Sequence, residues 1–202
     1  MQHKIIKYCS IRNDTVTVDG KVVLKTVEQP GTSKQFKEIF QSLGIDYPKF
    51  YKMDMLSKLA FLAFEFLTHD SGIAISETKT AILLSNRHST IDDDIKYSAT
   101  ITDQNYFPNP ALFIYTLPNV MIGEISIRKN IKGETLFISS NGFSGTAFEN
   151  CLDSMIFENC LTGFVEYENG DNFEAFAVFL EKSEYSGNNS LNFELERLYN
   201  NR

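Results

Sequence analysis

Residues 139–145 read Ser-Ser-Asn-Gly-Phe-Ser-Gly and fall where a short apolar run hands over to a helical pattern. A turn with Gly142 and Gly145 flanking Ser144 at such a junction is where several enzyme families hold a nucleophile. The backbone N–H groups at a helix start stabilise a developing negative charge there. Serine chemistry also needs an imidazole to take the hydroxyl proton. The chain carries three histidines, His3, His69 and His88, and all of them precede Ser144. In hydrolases with a Gly-x-Ser-x-Gly elbow the histidine follows the serine, and here no residue separates Ser144 from Gly145. These residue types favour Ser144 as the N-cap of a helix over Ser144 as a nucleophile.

The other reactive side chains also admit two readings, and the structural one is favoured in each case. His88 follows a strand in Ser-Asn-Arg-His-Ser-Thr, a position used for catalysis in α/β sheets; a solvated loop histidine is the competing reading. Asp92, Asp93 and Asp94 suit either a hard cation or the acidic first turn of a helix, although three consecutive carboxylates point in different directions. Cys9, Cys151 and Cys160 have no zinc-finger spacing and read as free thiols of a reducing compartment. No metal-ligand set, P-loop or dinucleotide fingerprint occurs, so neither a metal nor another cofactor is expected.

Charge narrows the partners. A net charge of −7 and a pI near 5.0 argue against nucleic acid and anionic membranes, both of which need concentrated Lys and Arg. The N-terminus has no apolar stretch of signal-peptide type, and the longest apolar run, residues 59–67, is too short to span a bilayer and contains Glu65. The expectation is a cytoplasmic protein with residues 1–202 as one domain and a weakly ordered tail from about 186.

The elements that must position these residues follow from periodicity. Residues 4–11 read as a strand, and 16–25 as a hairpin turning at Asp19-Gly20. Residues 28–33 read as a loop and 34–44 as a short amphipathic helix. Residues 53–70 form the clearest helix, apolar nearly all round and so largely buried. Strand 80–86, a polar loop with a short helix over 87–109, helix 120–130, strand 133–140 and helix 144–160 follow. Strands 161–168 and 173–183 come last. The alternation predicts an α/β layered fold with a mixed, mostly parallel sheet of about five strands and helices on both faces.

At residues 108–145 a family resemblance enters. The segment NPALFIYTLPNVMIGEISIRKNIKG resembles the pattern NP-x-x-F-x-x-T-x-PN-x-x-x-G…G of β-ketoacyl-acyl-carrier-protein synthases, members of the thiolase-like superfamily. The matching positions are Asn109, Pro110, Phe113, Thr116, Pro118, Asn119, Gly123 and Gly133. Residues 47–67, 80–86 and 173–185 match more loosely. The resemblance covers most of this chain but only about half of a full condensing enzyme, the N-terminal half, and so implies a thiolase-like half-fold. In the family the strand after that last glycine leads to a cysteine nucleophile on a tight turn. The corresponding position here is Gly142, followed by Phe143, Ser144 and the closing Gly145. Glycine cannot attack a thioester, and the family's catalytic histidines lie downstream of the cysteine, where this chain has none.

The resemblance therefore implies a protein without the family's catalytic residues. The first expectation is an accessory or pairing subunit in fatty-acid, polyketide or polyene-type biosynthesis, joined to itself or to an active ketosynthase through strand 134–140. An internal strand covered by the chain's own elements is the alternative reading of that segment. A second reading is an acyl- or acyl-carrier-protein-binding module, with Lys49, Lys52, Arg128, Lys129 and Lys132 as the docking cations. A third is an acyltransferase with an unrecognised nucleophile.

Overall fold

The Asp-Gly pair turns the chain as its chemistry requires. Asp19 and Gly20 both take positive φ, 49° and 75°, and join strands β2 (Thr15–Val18) and β3 (Lys21–Lys25). β2 in turn pairs antiparallel with β1 (Gln2–Arg12). This computed structural model describes residues 2–27, 31–101, 108–170, 172–183 and 190–201; part of the loop expected over 28–33 lies outside them.

After the meander come helix α1 (Thr32–Ser42), a 3₁₀ turn (Pro48–Lys52) and helix α2 (Met55–Thr68). Strand β4 (Thr80–Asn86) leads to helices α3 (Ile91–Ser98), α4 (Pro110–Tyr115) and α5 (Asn119–Lys129). Strand β5 (Thr135–Ser139), helix α6 (Gly145–Ser154), strands β6 (Asn159–Asn169) and β7 (Asn172–Ser183) and helix α7 (Leu191–Asn200) complete the order. α7 lies inside the segment expected to be a weakly ordered tail, and it buries Leu191 and Leu195.

The sheet corrects the expected architecture. It has seven strands in the order β3-β2-β1-β7-β6-β4-β5, not about five. Only the β4–β5 and β4–β6 pairs are parallel; β1–β2, β2–β3, β1–β7 and β6–β7 are antiparallel. The physical reason is the long-range pairing of β1 with β7, which adds the whole N-terminal meander to the sheet. A strand's periodicity shows which face it buries but not which strand lies beside it. The helix expected over 144–160 is also corrected. It ends at Ser154, and Cys160 lies in β6, opposite Ala81 of β4. The apolar residues Met155 and Phe157 therefore pack from an extended segment rather than a helix face.

Helices cover both faces of this sheet. α1, α2 and α5 close one side, where Phe36, Leu59, Leu62 and Phe179 are fully buried. α6 and α7 close the other around Phe148, Phe176 and Val178. Each fully buried side chain of this size contributes roughly 1.5–3 kcal/mol by leaving water. α2 lies between the sheet and its neighbouring helices, which explains why it is apolar nearly all round. Its N-terminus is capped by Asp54, which accepts from Leu56 N at 3.0 Å and Ser57 N at 3.2 Å. β4 is buried along its whole length, so its exit at Arg87-His88 is held rigidly. Among the described residues no helix is long and apolar enough to cross a membrane.

Candidate functional site

The turn after β5 is set by its packing. Ser144 occupies the N-cap of α6, and its Oγ accepts from Ala147 N at 3.3 Å. Gly145 N donates to Glu196 Oε1 at 2.7 Å. A Cβ on Gly145 would stand 2.4 Å from the Asn192 carbonyl oxygen, so α7 reaches this close to the turn only because residue 145 is glycine. Phe143 stacks on Tyr199 with centroids 4.4 Å apart and meets Phe148, Phe164 and Phe176 around it. Its ring thus ties the turn to α6, α7 and the sheet.

None of the histidines bonds to Ser144 among the described residues. His3 pairs with Asp153 at 3.2 Å and stacks on Phe157, and burial lowers its pKa despite that carboxylate. His69 pairs with Asp70 at 3.3 Å. His88 turns Nδ1 toward Glu166 Oε1 at 3.2 Å. The cysteines offer no ready thiolate either: burial pushes the Cys9 and Cys160 thiols far up, and both are inaccessible. Cys151 is half-buried on α6.

Gly142 differs from Gly145. A Cβ there would meet only the Arg87 guanidinium, at 3.6 Å, an ordinary contact with the flexible end of a side chain. Position 142 is therefore open and faces a cation. Gly142→Ala is expected to change stability by less than about 1 kcal/mol, because no backbone atom opposes the new methyl group. A thermal melt would check this, and a large drop in melting temperature would contradict it.

The residues of the 109–133 motif serve as architecture. Asn109 caps α4 by accepting from Ala111 N at 2.9 Å, and Pro110 opens that helix. Phe113 lies against Tyr97, 5.5 Å between centroids. The Thr116 hydroxyl donates to the Phe113 carbonyl, and the Thr116 carbonyl accepts from the Thr90 hydroxyl at 3.0 Å. Pro118 and Asn119 start α5. Gly123 faces open space, whereas Gly133 is pressed against the backbone of Thr80.

Four of the five basic residues are engaged within the fold. Lys49 pairs with buried Glu124 at 2.6 Å, and Lys132 pairs with Glu77. Arg128 Nε and Lys129 Nζ both reach Glu65 Oε1, at 2.9 and 2.8 Å. Burial lowers the Lys129 pKa, and the Glu65 carboxylate opposes that shift. Lys52 is exposed and has no ion partner among the described residues. These cations hold α5 and its flanking segments in place, which leaves little free positive charge on that surface.

The acidic trio likewise diverges. Asp92 pairs with Lys96, Asp94 accepts from the Thr90 hydroxyl at 3.2 Å, and Asp93 is buried facing Asp54. Among the described residues no group of three His, Cys, Asp or Glu side chains has the geometry to hold a metal ion. Burial first, and then the Asp54 charge and a hydrogen bond with it, push the Asp93 carboxyl up to about 8. Between the ordinary carboxylate range and pH 8 the folded chain holds a proton that the unfolded chain lacks. Stability from this pair is therefore present at acid pH and lost as pH rises through 8. The melting temperature of the native chain is expected to fall from pH 6 to 9, and Asp93→Asn, which retains a donor, to flatten that slope. An unchanged slope in the variant would refute the shared proton.

A polar groove of about 520 Å³ lies at the carboxyl ends of β4 and β6, beside Arg87. Cross-strand register builds it. Arg12, Glu174 and Glu166 are successive partners across β1, β7 and β6, and Arg87-His88 leave the end of β4 alongside. Glu166 is the anchor, with 8% of its side chain exposed. It accepts from Arg87 N at 2.6 Å, His88 N at 3.3 Å and the His88 ring. Arg12 pairs with Glu174 at 3.1 Å, and Tyr199 donates its hydroxyl to Glu174 at 2.8 Å. Of this set the sequence reading singled out only His88. A visible signal was Glu166 itself, an acidic residue that follows the apolar run Phe164-Val165 on the same face as Thr162 and Phe164.

With this geometry in view, comparison with known proteins separates fold from family. No family model matches the chain, and no curated protein matches it. The fold is ketosynthase-like. A chain from the structure of a ketosynthase in complex with its chain length factor, from Xenorhabdus doucetiae, is similar over 91% of this chain and 80% of that chain. The TM-score is 0.61 at 15% sequence identity, and the two coverages mean that the matched chain is only modestly longer than this one.

Proposed function

We propose that this protein is a non-catalytic ketosynthase-like subunit. It pairs with a second copy of itself or with an active ketosynthase in a fatty-acid, polyketide or polyene-type assembly, and residues 1–202 act as one domain. The observation that carries the reading is the position of β5. It is one of the sheet's two outer strands, the other being the Lys-flanked β3, pairs only with β4 among the described residues, and leads into the turn containing Gly142. An edge with the sequence Thr-Leu-Phe-Ile-Ser exposes unpaired backbone groups next to apolar side chains, and such edges either aggregate or take a partner strand. The fold likeness to a chain of a ketosynthase–chain length factor complex supports the same direction, as does the comparable size of that chain.

The turn itself supports a role without condensation. Packing of Phe143 and Gly145 preserves its shape, while Gly142 brings no side chain to the position of the attacking group. A cysteine placed at 142 is expected to fold without restoring condensing activity, since His88 is committed to Glu166 and no histidine follows it.

Leu136, 37% exposed on the edge strand, is the residue to test. Leu136→Lys is expected to leave the fold intact and to weaken self- or ketosynthase association by at least about tenfold, because the lysine would be buried without a counter-charge. Native mass measurement of the purified chain, and recovery of its companions from its own cells, read this directly. A wild-type chain that remains monomeric and recovers no condensing enzyme overturns the proposal.

A further inference from the structure

The groove beside β4 carries an inference independent of pairing. Its charges are unevenly matched. Arg12 is paired with Glu174, Asp14 with Lys25 at 3.4 Å, and Glu166 is surrounded by the two backbone N–H groups and the His88 ring. The Arg87 guanidinium alone has no carboxylate partner among the described residues, although it borders the groove and reaches the open side of Gly142. His88 gives Nδ1–H to Glu166, which leaves Nε2 as an acceptor, so the Arg87 guanidinium is the group available to an anionic ligand. Glu166 fixes both groups, since its carboxylate holds the backbone from which Arg87 and His88 project.

We propose that this groove is a binding site for a small monocarboxylate, with the carboxylate held by the Arg87 guanidinium. A guanidinium matches the two oxygens of a carboxylate with parallel N–H donors. Ser10, Thr15 and Asn172 add polar lining, and Phe173 gives the ligand's carbon skeleton an apolar wall. The volume is that of ordinary small-molecule sites. Glu166, Glu174 and Asp14 line the same groove and set an upper bound on ligand charge. A single negative charge is balanced by Arg87, whereas a dianion would meet these carboxylates without further free cations. The location outside the carboxyl ends of two parallel strands is where α/β sheets commonly place ligands.

Acetate is the simplest probe. Titrated into the ¹⁵N-labelled full chain at constant ionic strength, it is expected to shift the amides of Arg87, His88 and Gly142 saturably, with a midpoint of roughly 1–50 mM for so few contacts. Arg87→Gln, at an exposed position that the fold does not need, is expected to raise that midpoint at least about tenfold with an unchanged melting temperature. No saturable shift with acetate, or the same midpoint in Arg87→Gln, overturns the site. Tighter binding of inorganic phosphate than of acetate overturns the monoanion assignment, and saturation of the same amides by methylammonium overturns the assignment of charge. These readouts require no partner protein, so failure of the pairing proposal leaves them interpretable.

Discussion

Replacing Gly133 by alanine is expected to destabilise the protein by about 3 kcal/mol or more, lowering the melting temperature by roughly 10 °C for a chain of this size. The added Cβ would stand 2.2 Å from the Thr80 carbonyl oxygen, 3.0 Å from its carbon and 3.4 Å from the Thr78 carbonyl oxygen. All three are backbone atoms, so no side-chain rotation relieves the clash. The backbone there is already committed: Ile82 N donates to Glu134 O at 2.9 Å, and Lys132 N donates to Glu77 O at 2.6 Å. Accommodation therefore requires β5 to separate from β4 at its first residues, and the outer strand proposed for pairing would be lost with it. A melt of Gly133→Ala within about 2 °C of wild type would remove this account. The comparison with Gly142→Ala is informative, because both glycines belong to the same resemblance and only one is sterically required.

Glu65→Ala carries the second large effect, about 3 kcal/mol, measured by denaturant unfolding. Glu65 is 1% exposed in the last turn of α2 and takes both Arg128 and Lys129 from α5. Removing the carboxylate leaves two cations at a buried helix–helix contact, and lysine there already pays a desolvation cost that Glu65 offsets. Glu65→Gln retains an acceptor for one donor and is expected to cost less than Glu65→Ala. A double variant, Glu65→Leu with Lys129→Leu, is expected to recover part of the loss, since a buried ion pair replaced by apolar groups is often neutral. Equal stability of Glu65→Ala and wild type would show that the pair contributes nothing. The same geometry decides how carrier docking can be probed. Charge reversal at Lys129 would report on folding, so exposed Lys52 is the position that isolates a docking effect.

Much of the secondary structure was legible. The Asp19-Gly20 hairpin, the buried helix ending in Phe-Glu-Phe-Leu-Thr and strand 80–86 each follow from local chemistry: positive φ at a turn, an apolar helix surface, a short apolar run with polar ends. The sequence pattern overruns the true end of helix α6 because Met155, Ile156 and Phe157 extend an apolar run that suits either a helix or an approach to a strand. Local periodicity does not distinguish these for so short a run. The groove was largely illegible. Glu166 and Glu174 face each other across the local β6–β7 hairpin, but Arg12 and Arg87 are far away in the chain, and only the β1–β7 register and the β4–β6 pairing bring them alongside.

By itself, the sequence determined the residue inventory of this protein: glycine at 142, no histidine after residue 88, an acidic balance and a helix that had to be buried. Those are properties of composition and spacing, and no fold alters them. Only the tertiary structure decided that strand 135–139 is an outer edge, that Arg128 and Lys129 are committed to Glu65, and that Arg87 and His88 share a groove with Glu166. Each of these depends on which distant segments pair, and pairing is set by the fit of whole surfaces, which no local stretch of residues encodes.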